Sequence, residues 1–180
     1  MHDVLLVPGF GGTEAQPLLT KIAKALVENG LAAKAITLTK HRPQPSLAKE
    51  TEELRAFFHA LTNGKGAIVG RSFGGRVAVR LAAHEPVRAM VLLGFPVRPP
   101  GKTRPEDERA LQALMCPTLI LQGENDELGD PELLREICAE NHNVVIETIA
   151  GAKHSYGKTE KIVIARTAEW LRTHARTNVT

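Results

Sequence analysis

Three observations predict an α/β fold, a parallel sheet with helices on both faces. Short apolar runs and amphipathic helical patterns alternate six times along the chain. The apolar runs, Val4-Leu5-Leu6-Val7 for example, do not alternate with polar residues, as expected of strands covered on both faces. No internal repeat and no linker interrupts the 180 residues, a length that suits one domain, 1–180, with a single substantial core.

The elements follow in order. Val4 to Val7 reads as the first strand, ended by the backbone-rich loop Pro8-Gly9-Phe10-Gly11-Gly12. Pro17 suits the first turn of a helix whose apolar face is Leu18, Leu19, Ile22 and Leu26, and which stops at Asn29-Gly30. Ala33 to Thr39 is the second strand, and the prolines of Lys40 to Pro45 make a loop. Leu47, Leu54, Phe57, Phe58 and Leu61 mark the second helix, ending at Asn63-Gly64. Ala67-Ile68-Val69 is the third strand, and Val77 to Ala82 carries the next helical pattern. Ala89 to Leu93 is the fourth strand. Four of the eleven prolines then fall between 96 and 105, marking a stiff connection. A short helix follows Pro105, with Glu106, Asp107 and Glu108 complementing its N-terminal dipole. Thr118 to Gln122 is the fifth strand, and Asp130-Pro131 opens another helix as cap and first-turn proline. Val144 to Ile149 is the sixth strand, and a last helix covers about Lys158 to His174.

Between the third strand and its helix lies Gly70-Arg71-Ser72-Phe73-Gly74-Gly75. Strand, G-x-S-x-G and helix in that order is the context of a nucleophile elbow. A serine in so tight a turn takes strained backbone angles, and its neighbours must lack side chains for strand and helix to approach. A composition of 15 Gly and 3 Ser gives roughly 0.02 chance matches to that motif.

Composition excludes several classes. No apolar stretch approaches the roughly 18 residues of a membrane span. The N-terminus enters an apolar run without a charged segment or a signal-type cleavage site, so a cytoplasmic location is expected. Cys116 and Cys138 are too few for a disulfide framework, no Cys/His spacing suggests a metal, and both read as small core residues. The net charge of +3 comes from basic residues interspersed with acids, and one Tyr and one Trp give no platform for stacking bases. No nucleic-acid or membrane partner is expected.

The chemistry collects at one sheet edge. Parallel sheets bind ligands at the carboxyl ends of their strands, and Ser72, Asp126 and His154 all fall just after predicted strands. A serine hydroxyl needs a neighbouring base, and a carboxylate ordinarily orients that base. Of the seven histidines, only His154 follows a predicted strand by a short glycine-containing loop. Asp126 competes with Glu124, Glu127 and Asp130, the last already explained as a helix cap. The oxyanion needs two backbone donors aimed at one point; the amide of Phe73 and, beside Gly9, that of Phe10 are the candidates. Gly9-Phe10-Gly11-Gly12 is no phosphate loop, since no Gly-Lys-Ser/Thr follows.

Val7-Pro8-Gly9-Phe10-Gly11-Gly12, Gly70 to Gly75, Leu121-Gln122-Gly123-Glu124-Asn125-Asp126 and Gly151-Ala152-Lys153-His154-Ser155 together resemble the α/β-hydrolases. The closest type is the small, cap-less group related to dienelactone hydrolases, and the resemblance spans essentially the whole chain. It implies a minimal α/β-hydrolase fold with strand order 2-1-3-4-5-6, a Ser72–His154–Asp126 triad and an oxyanion hole from the Phe10 and Phe73 amides. Three departures stand out. Pro8 replaces the family's frequent His before the oxyanion-loop glycine, the usual two leading antiparallel strands are missing, and the nucleophile is Ser rather than the Cys of dienelactone hydrolases proper.

The expected activity is hydrolysis of a small-molecule carboxylic ester or thioester through an acyl-enzyme on Ser72, without metal or organic cofactor. Only about twenty residues join the fourth and fifth strands, leaving little for a lid, so short acyl groups are expected. A monomer or homodimer is the expected assembly. Phe10, Phe73 and Phe95 would form a shallow pocket. Arg71 either binds a substrate carboxylate or makes a structural ion pair behind the elbow. Arg98, Lys102 and Arg104 lie near the mouth, where a solvated loop is the plainer reading. The rival functions are a non-catalytic interaction module on the same scaffold, and an amide or peptide hydrolase using the same three residues.

Overall fold

A computed structural model describes residues 1–175 of the chain. Its strands are β1 (Val4–Val7), β2 (Ala33–Ala35), β3 (Ala67–Arg71), β4 (Met90–Leu93), β5 (Thr118–Gly123) and β6 (Val144–Ile149). They form one parallel sheet in the order β2-β1-β3-β4-β5-β6, as the resemblance implied. The helices are α1 (Pro17–Glu28), α2 (Ala48–Thr62), α3 (Phe73–Ala82), α4 (Pro105–Gln112), α5 (Pro131–Cys138) and α6 (Glu160–His174).

The period of two along each strand splits the core into two layers. Leu5, Val7, Ile68, Met90, Leu92 and Ile120 face α2, α3, α4 and α5, whose Leu54, Phe58, Val77, Leu111 and Leu134 are fully buried. Val4, Leu6, Val69, Val91, Leu93 and Leu119 face α1 and α6, which bury Leu19, Ile22, Val163 and Leu171. Full burial of each such side chain stabilises by about 1.5–3 kcal/mol. Cys116 and Cys138 are both buried and unpaired.

Several boundaries differ from the sequence reading: β3 runs on to Arg71, β4 starts one residue later at Met90 and β5 ends one later at Gly123. β2 stops at Ala35 instead of reaching Thr39. Its neighbour β1 ends at Val7 and is followed by Pro8, which has no N–H to continue a ladder. From 37 onwards the bonds involve side chains instead: Thr37 Oγ1 accepts from Glu14 N, and Thr39 N donates to the Glu53 carboxylate at 2.9 Å. α3 begins four residues earlier than its apolar pattern, directly after Ser72. Residues Gly157–Thr159 form a separate 3₁₀ turn before α6.

The order of the sheet positions the functional edge. The chain moves outward from β1 to β2, then back to β3, so β1 and β3 flank the switch point where their following loops diverge. The loop after β1 carries Phe10 and the turn after β3 carries Ser72.

On the far side of α3 a buried charge cluster fixes the next segment. Asp107 of α4 is fully buried and accepts from Arg76 Nε at 2.5 Å and Arg80 Nη2 at 2.7 Å, both on α3. The sequence assigns Asp107 only a helix-dipole role. The structure makes it the tie that holds 96–112 against the helix behind Ser72.

Candidate active site

Ser72 sits at φ 49° and ψ −110°, a positive-φ conformation that a non-glycine residue enters only when its surroundings force it. The forcing is steric. A Cβ at position 70 would lie 2.5 Å from Gly75 Cα, and one at 74 would lie 2.4 Å from Val7 O. Strand, turn and helix therefore touch backbone to backbone. The Ser72 N–H donates to Leu93 O of β4 at 2.9 Å, locking the turn to the sheet.

Ser72 Oγ is 3.0 Å from His154 Nε2, and His154 Nδ1 is 2.9 Å from both carboxylate oxygens of Asp126. The three residues come from the ends of β3, β6 and β5 respectively. Asp126 is only 6% exposed, and its carboxylate is fully engaged. Oδ1 accepts from Leu128 N and Oδ2 from Gln122 Nε2, each at 2.9 Å. Gln122 is itself fully buried, with Oε1 accepting from Phe95 N at 2.8 Å and Nε2 also donating to Gly129 O at 2.8 Å. The competing acids are placed elsewhere. Asp130 accepts from Glu132 N as the cap of α5, Glu124 accepts from Gly151 N, and Glu127 is exposed.

Gln122 is a residue the sequence reading missed. A signal was present: Gln122 is the one side-chain amide of Thr118–Gly123, on a strand with no solvent-facing side. A buried amide there must find partners, and it finds the carboxylate of Asp126.

Arg71 does not line the cavity at Ser72 and has no carboxylate ion pair among the described residues. Both sequence readings of it are thus corrected. The residue is 9% exposed, and its guanidinium lies behind the elbow, donating to His154 O at 2.5 Å and Leu93 O at 3.1 Å and lying 5.5 Å from the Tyr156 ring centroid. Burial lowers its pKa, opposed by nearby Tyr156 and Asp126. Nη1 also stands 3.3 Å from His154 Nε2. A guanidinium offers only donors, so this contact suits a ring whose Nε2 is the acceptor and whose Nδ1 carries the proton toward Asp126. That is the tautomer a serine base requires.

Phe10 and Phe73 meet edge to face, with ring centroids 5.6 Å apart and planes at 80°. Among the described residues, neither of their amides donates to a protein acceptor. Gly9 lies between, its N–H on Gln16 Oε1 at 3.3 Å, and a Cβ there would be 3.8 Å from Ser72 Cβ. Phe95, expected beside the site, is fully buried in the core under α3. Its backbone bonds to Gln122 fold the ring inward, so it offers no wall.

Above Ser72 opens a cavity of about 710 Å³. Phe10, Phe73 and Leu128 supply apolar surface, and the loops 42–45 and 96–104 supply prolines and cations. The first of these loops was not assigned to the site from the sequence, because no motif marks it. Arg98 points away from the cavity and pairs with Glu108 at 2.6 Å. Among the described residues no group of three or more His, Cys, Asp or Glu side chains is placed to hold a metal ion. Nor is any helix among them long and apolar enough to cross a membrane.

Residues 1–178 match the family model described as an alpha/beta hydrolase domain. No curated protein matches the chain. Among solved structures, a monoacylglycerol lipase from Paleococcus ferrophilus superposes with a TM-score of 0.81 at 16% identity, covering 95% of this chain and 94% of that one. A thermophilic esterase from Thermogutta terrifontis gives 0.76 at 19%, covering 97% and 90%. A serine hydrolase without a lid from Xanthomonas campestris gives 0.73 at 16%, covering 98% and 85%. At these identities the likeness is one of fold.

Proposed function

Because the chain belongs to the alpha/beta hydrolase family, we propose that it is a serine hydrolase cleaving a small-molecule carboxylic ester or thioester. The observation that carries this reading is the continuous hydrogen-bonded line from Ser72 Oγ through His154 to Asp126, with 3.0 Å and 2.9 Å links. Ser72 Oγ attacks the carbonyl carbon while His154 Nε2 takes its proton. Asp126 holds the ring and offsets the imidazolium charge. The unengaged amides of Phe10 and Phe73 receive the oxyanion. His154 then returns the proton to the leaving oxygen or sulfur as the bond to carbon breaks, giving an acyl-serine. Water, deprotonated by His154, attacks that ester, and collapse releases the acid and restores Ser72.

Short acyl groups suit the site. A long alkyl chain gains about 0.8 kcal/mol per methylene only where it is fully buried in apolar surroundings, and beyond Phe10, Phe73 and Leu128 the cavity wall interleaves prolines with the charged Arg42, Arg76, Lys102, Arg104 and Glu106. The test is labelling with a fluorophosphonate. Wild type is expected to take up one label and Ser72→Ala none; equal labelling of the two would refute the assignment of the nucleophile. In the same preparation, kcat/KM for 4-nitrophenyl esters should peak at about two to four acyl carbons, and a steady climb to octanoate would contradict the short-chain preference.

A further inference from the structure

The cavity over Ser72 has a one-sided electrostatic lining. Arg42, Arg76, Lys102 and Arg104 all border it, against a single carboxylate, Glu106. Two of these five charges are already answered within the protein. Arg76 is neutralised by buried Asp107 at 2.5 Å, and Glu106 lies 3.7 Å from Arg80 Nη2. Arg42, Lys102 and Arg104 have no carboxylate within salt-bridge distance among the described residues; Arg104 donates only to Pro96 O, at 2.5 Å. Arg98 shows the contrast, since it belongs to the same loop, faces away and is paired with Glu108. Three of the four cations that border the cavity are thus left without a carboxylate partner.

Two further features distinguish this lining from an ordinary solvated surface. The cations come from both sides of the nucleophile, Arg42 from the loop after β2, and Lys102 and Arg104 from the loop after β4. Each loop is stiffened by prolines that also line the cavity, Pro43 and Pro45 on one, Pro96 and Pro99 on the other. Fixed backbone angles reduce the entropy lost when a ligand orders the side chains. Arg104 is also partly buried. Desolvation and the charge of Arg76 bring its guanidinium down to about 10, so it stays charged at neutral pH in a site already short of anions.

Resting on the serine-hydrolase reading above, we propose that the substrate carries an oxyanion remote from its scissile carbonyl, a carboxylate or a phosphate. Arg42 holds that group from one side, and Lys102 and Arg104 hold it from the other, while the carbonyl lies on Ser72. The anion supplies the counter-charge that the protein withholds from this cavity. The apolar part of the substrate is then small and confined to Phe10, Phe73 and Leu128.

Matched esters test this. On the leaving-group side, 4-acetoxybenzoate and 4-acetoxyphenyl phosphate are compared with neutral methyl 4-acetoxybenzoate. On the acyl side, 4-nitrophenyl hydrogen adipate is compared with 4-nitrophenyl hexanoate. The quantity read is the ratio of kcat/KM, anionic over neutral, within one enzyme preparation, which cancels any loss of folded protein. Wild type should favour the anion in at least one arm, and the ratio should fall with rising salt. The arm that responds identifies carboxylate or phosphate, and acyl or leaving side.

In the double variant Arg42→Gln/Lys102→Gln, which keeps the Arg104–Pro96 hydrogen bond, the ratio should drop about fourfold or more, at about two- to fivefold per exposed cation. Adding Arg104→Gln should lower it again. A wild-type ratio near one in every arm, or a preference that survives in the folded double variant, overturns the proposal while leaving the hydrolase reading intact. Absence of both ester turnover and fluorophosphonate labelling in wild type overturns the hydrolase reading, and the anion site with it.

Discussion

An alanine at position 74 separates two contributions of the elbow, its packing and its alignment. The new Cβ would stand 2.4 Å from Val7 O and 2.5 Å from Pro8 O. Ordinary contact begins near 3.4 Å, so the end of β1 and the start of α3 must part by about 1 Å. Neither obstacle is a flexible side chain. Both are backbone oxygens, and Val7 is held in register with Gly70 in the sheet. Overpacking of this kind costs about 1–3 kcal/mol. Gly74 lies within α3 and is not among the positive-φ residues, so alanine also recovers about 1 kcal/mol of helix propensity. The net loss of stability is then about 0–2 kcal/mol. Activity should respond far more. Phe10 follows the displaced end of β1 and Phe73 opens α3, so the two proposed oxyanion donors move apart together with their supports. A misplacement of about 1 Å costs on the order of 10²-fold. The expected signature is a Tm lowered by only a few degrees with kcat for 4-nitrophenyl acetate down about 100-fold. A folded Gly74→Ala enzyme with kcat within threefold of wild type would refute the coupling of oxyanion loop to elbow.

Asp126→Asn should lower kcat by about 10³–10⁴ with little change in fold, whereas Asp130→Ala should cost about 1 kcal/mol of stability and spare kcat; the reverse ranking would move the acid to the helix cap. Asp107→Ala leaves Arg76 and Arg80 without their shared buried partner and should destabilise by about 3–5 kcal/mol in urea unfolding, and a loss below 1 kcal/mol would show the cluster to be dispensable. The Cys138 thiol is pushed from 9.0 up to about 11 by burial, so the native state keeps a proton that the unfolded chain releases earlier. Its contribution is therefore complete below about pH 9 and is lost as pH rises toward 11. Stability of wild type relative to Cys138→Val should fall across that window, and parallel curves would contradict it.

The parts of the molecule legible in the sequence are those set by local pattern. Unbroken apolar runs such as Val4–Val7 and Met90–Leu93 mark strands without reference to any neighbour. Gly70 and Gly74 announce a turn because only glycine fits where backbones touch. The end of β2 was not legible, since it is decided by Pro8 on the adjacent strand rather than by residues 36–39 themselves. The same limit governs the side chains. Asp107 looks like a first-turn acid until α3 brings Arg76 and Arg80 to it. Phe95 looks like a pocket residue until the Gln122 amide folds its backbone inward. Arg71 looks available to a substrate until its carbonyl partners are seen behind the elbow. Each of these depends on a partner at least twenty residues away in sequence, which no window of periodicity contains.

The physical separation of these parts bears on how such a site changes. Ser72, His154 and Asp126 are fixed by backbone and buried bonds: Ser72 N on Leu93 O, His154 O on Arg71, Asp126 on Gln122. None of those bonds involves the loops 42–45 or 96–104. The cations of those loops that border the cavity, Arg42, Lys102 and Arg104, are exposed or half-buried, and Arg104 ties back through a single carbonyl within its own loop. Substitution at 42, 102 or 104 therefore alters what the cavity attracts without passing strain to the Ser72–His154 pair. Arg76 is the exception. It borders the cavity and also holds Asp107, so its charge shapes the site only through a bond that the fold needs. Selectivity is free to vary on the two proline-stiffened loops, and it is constrained where the cavity wall and the buried ion cluster share a residue.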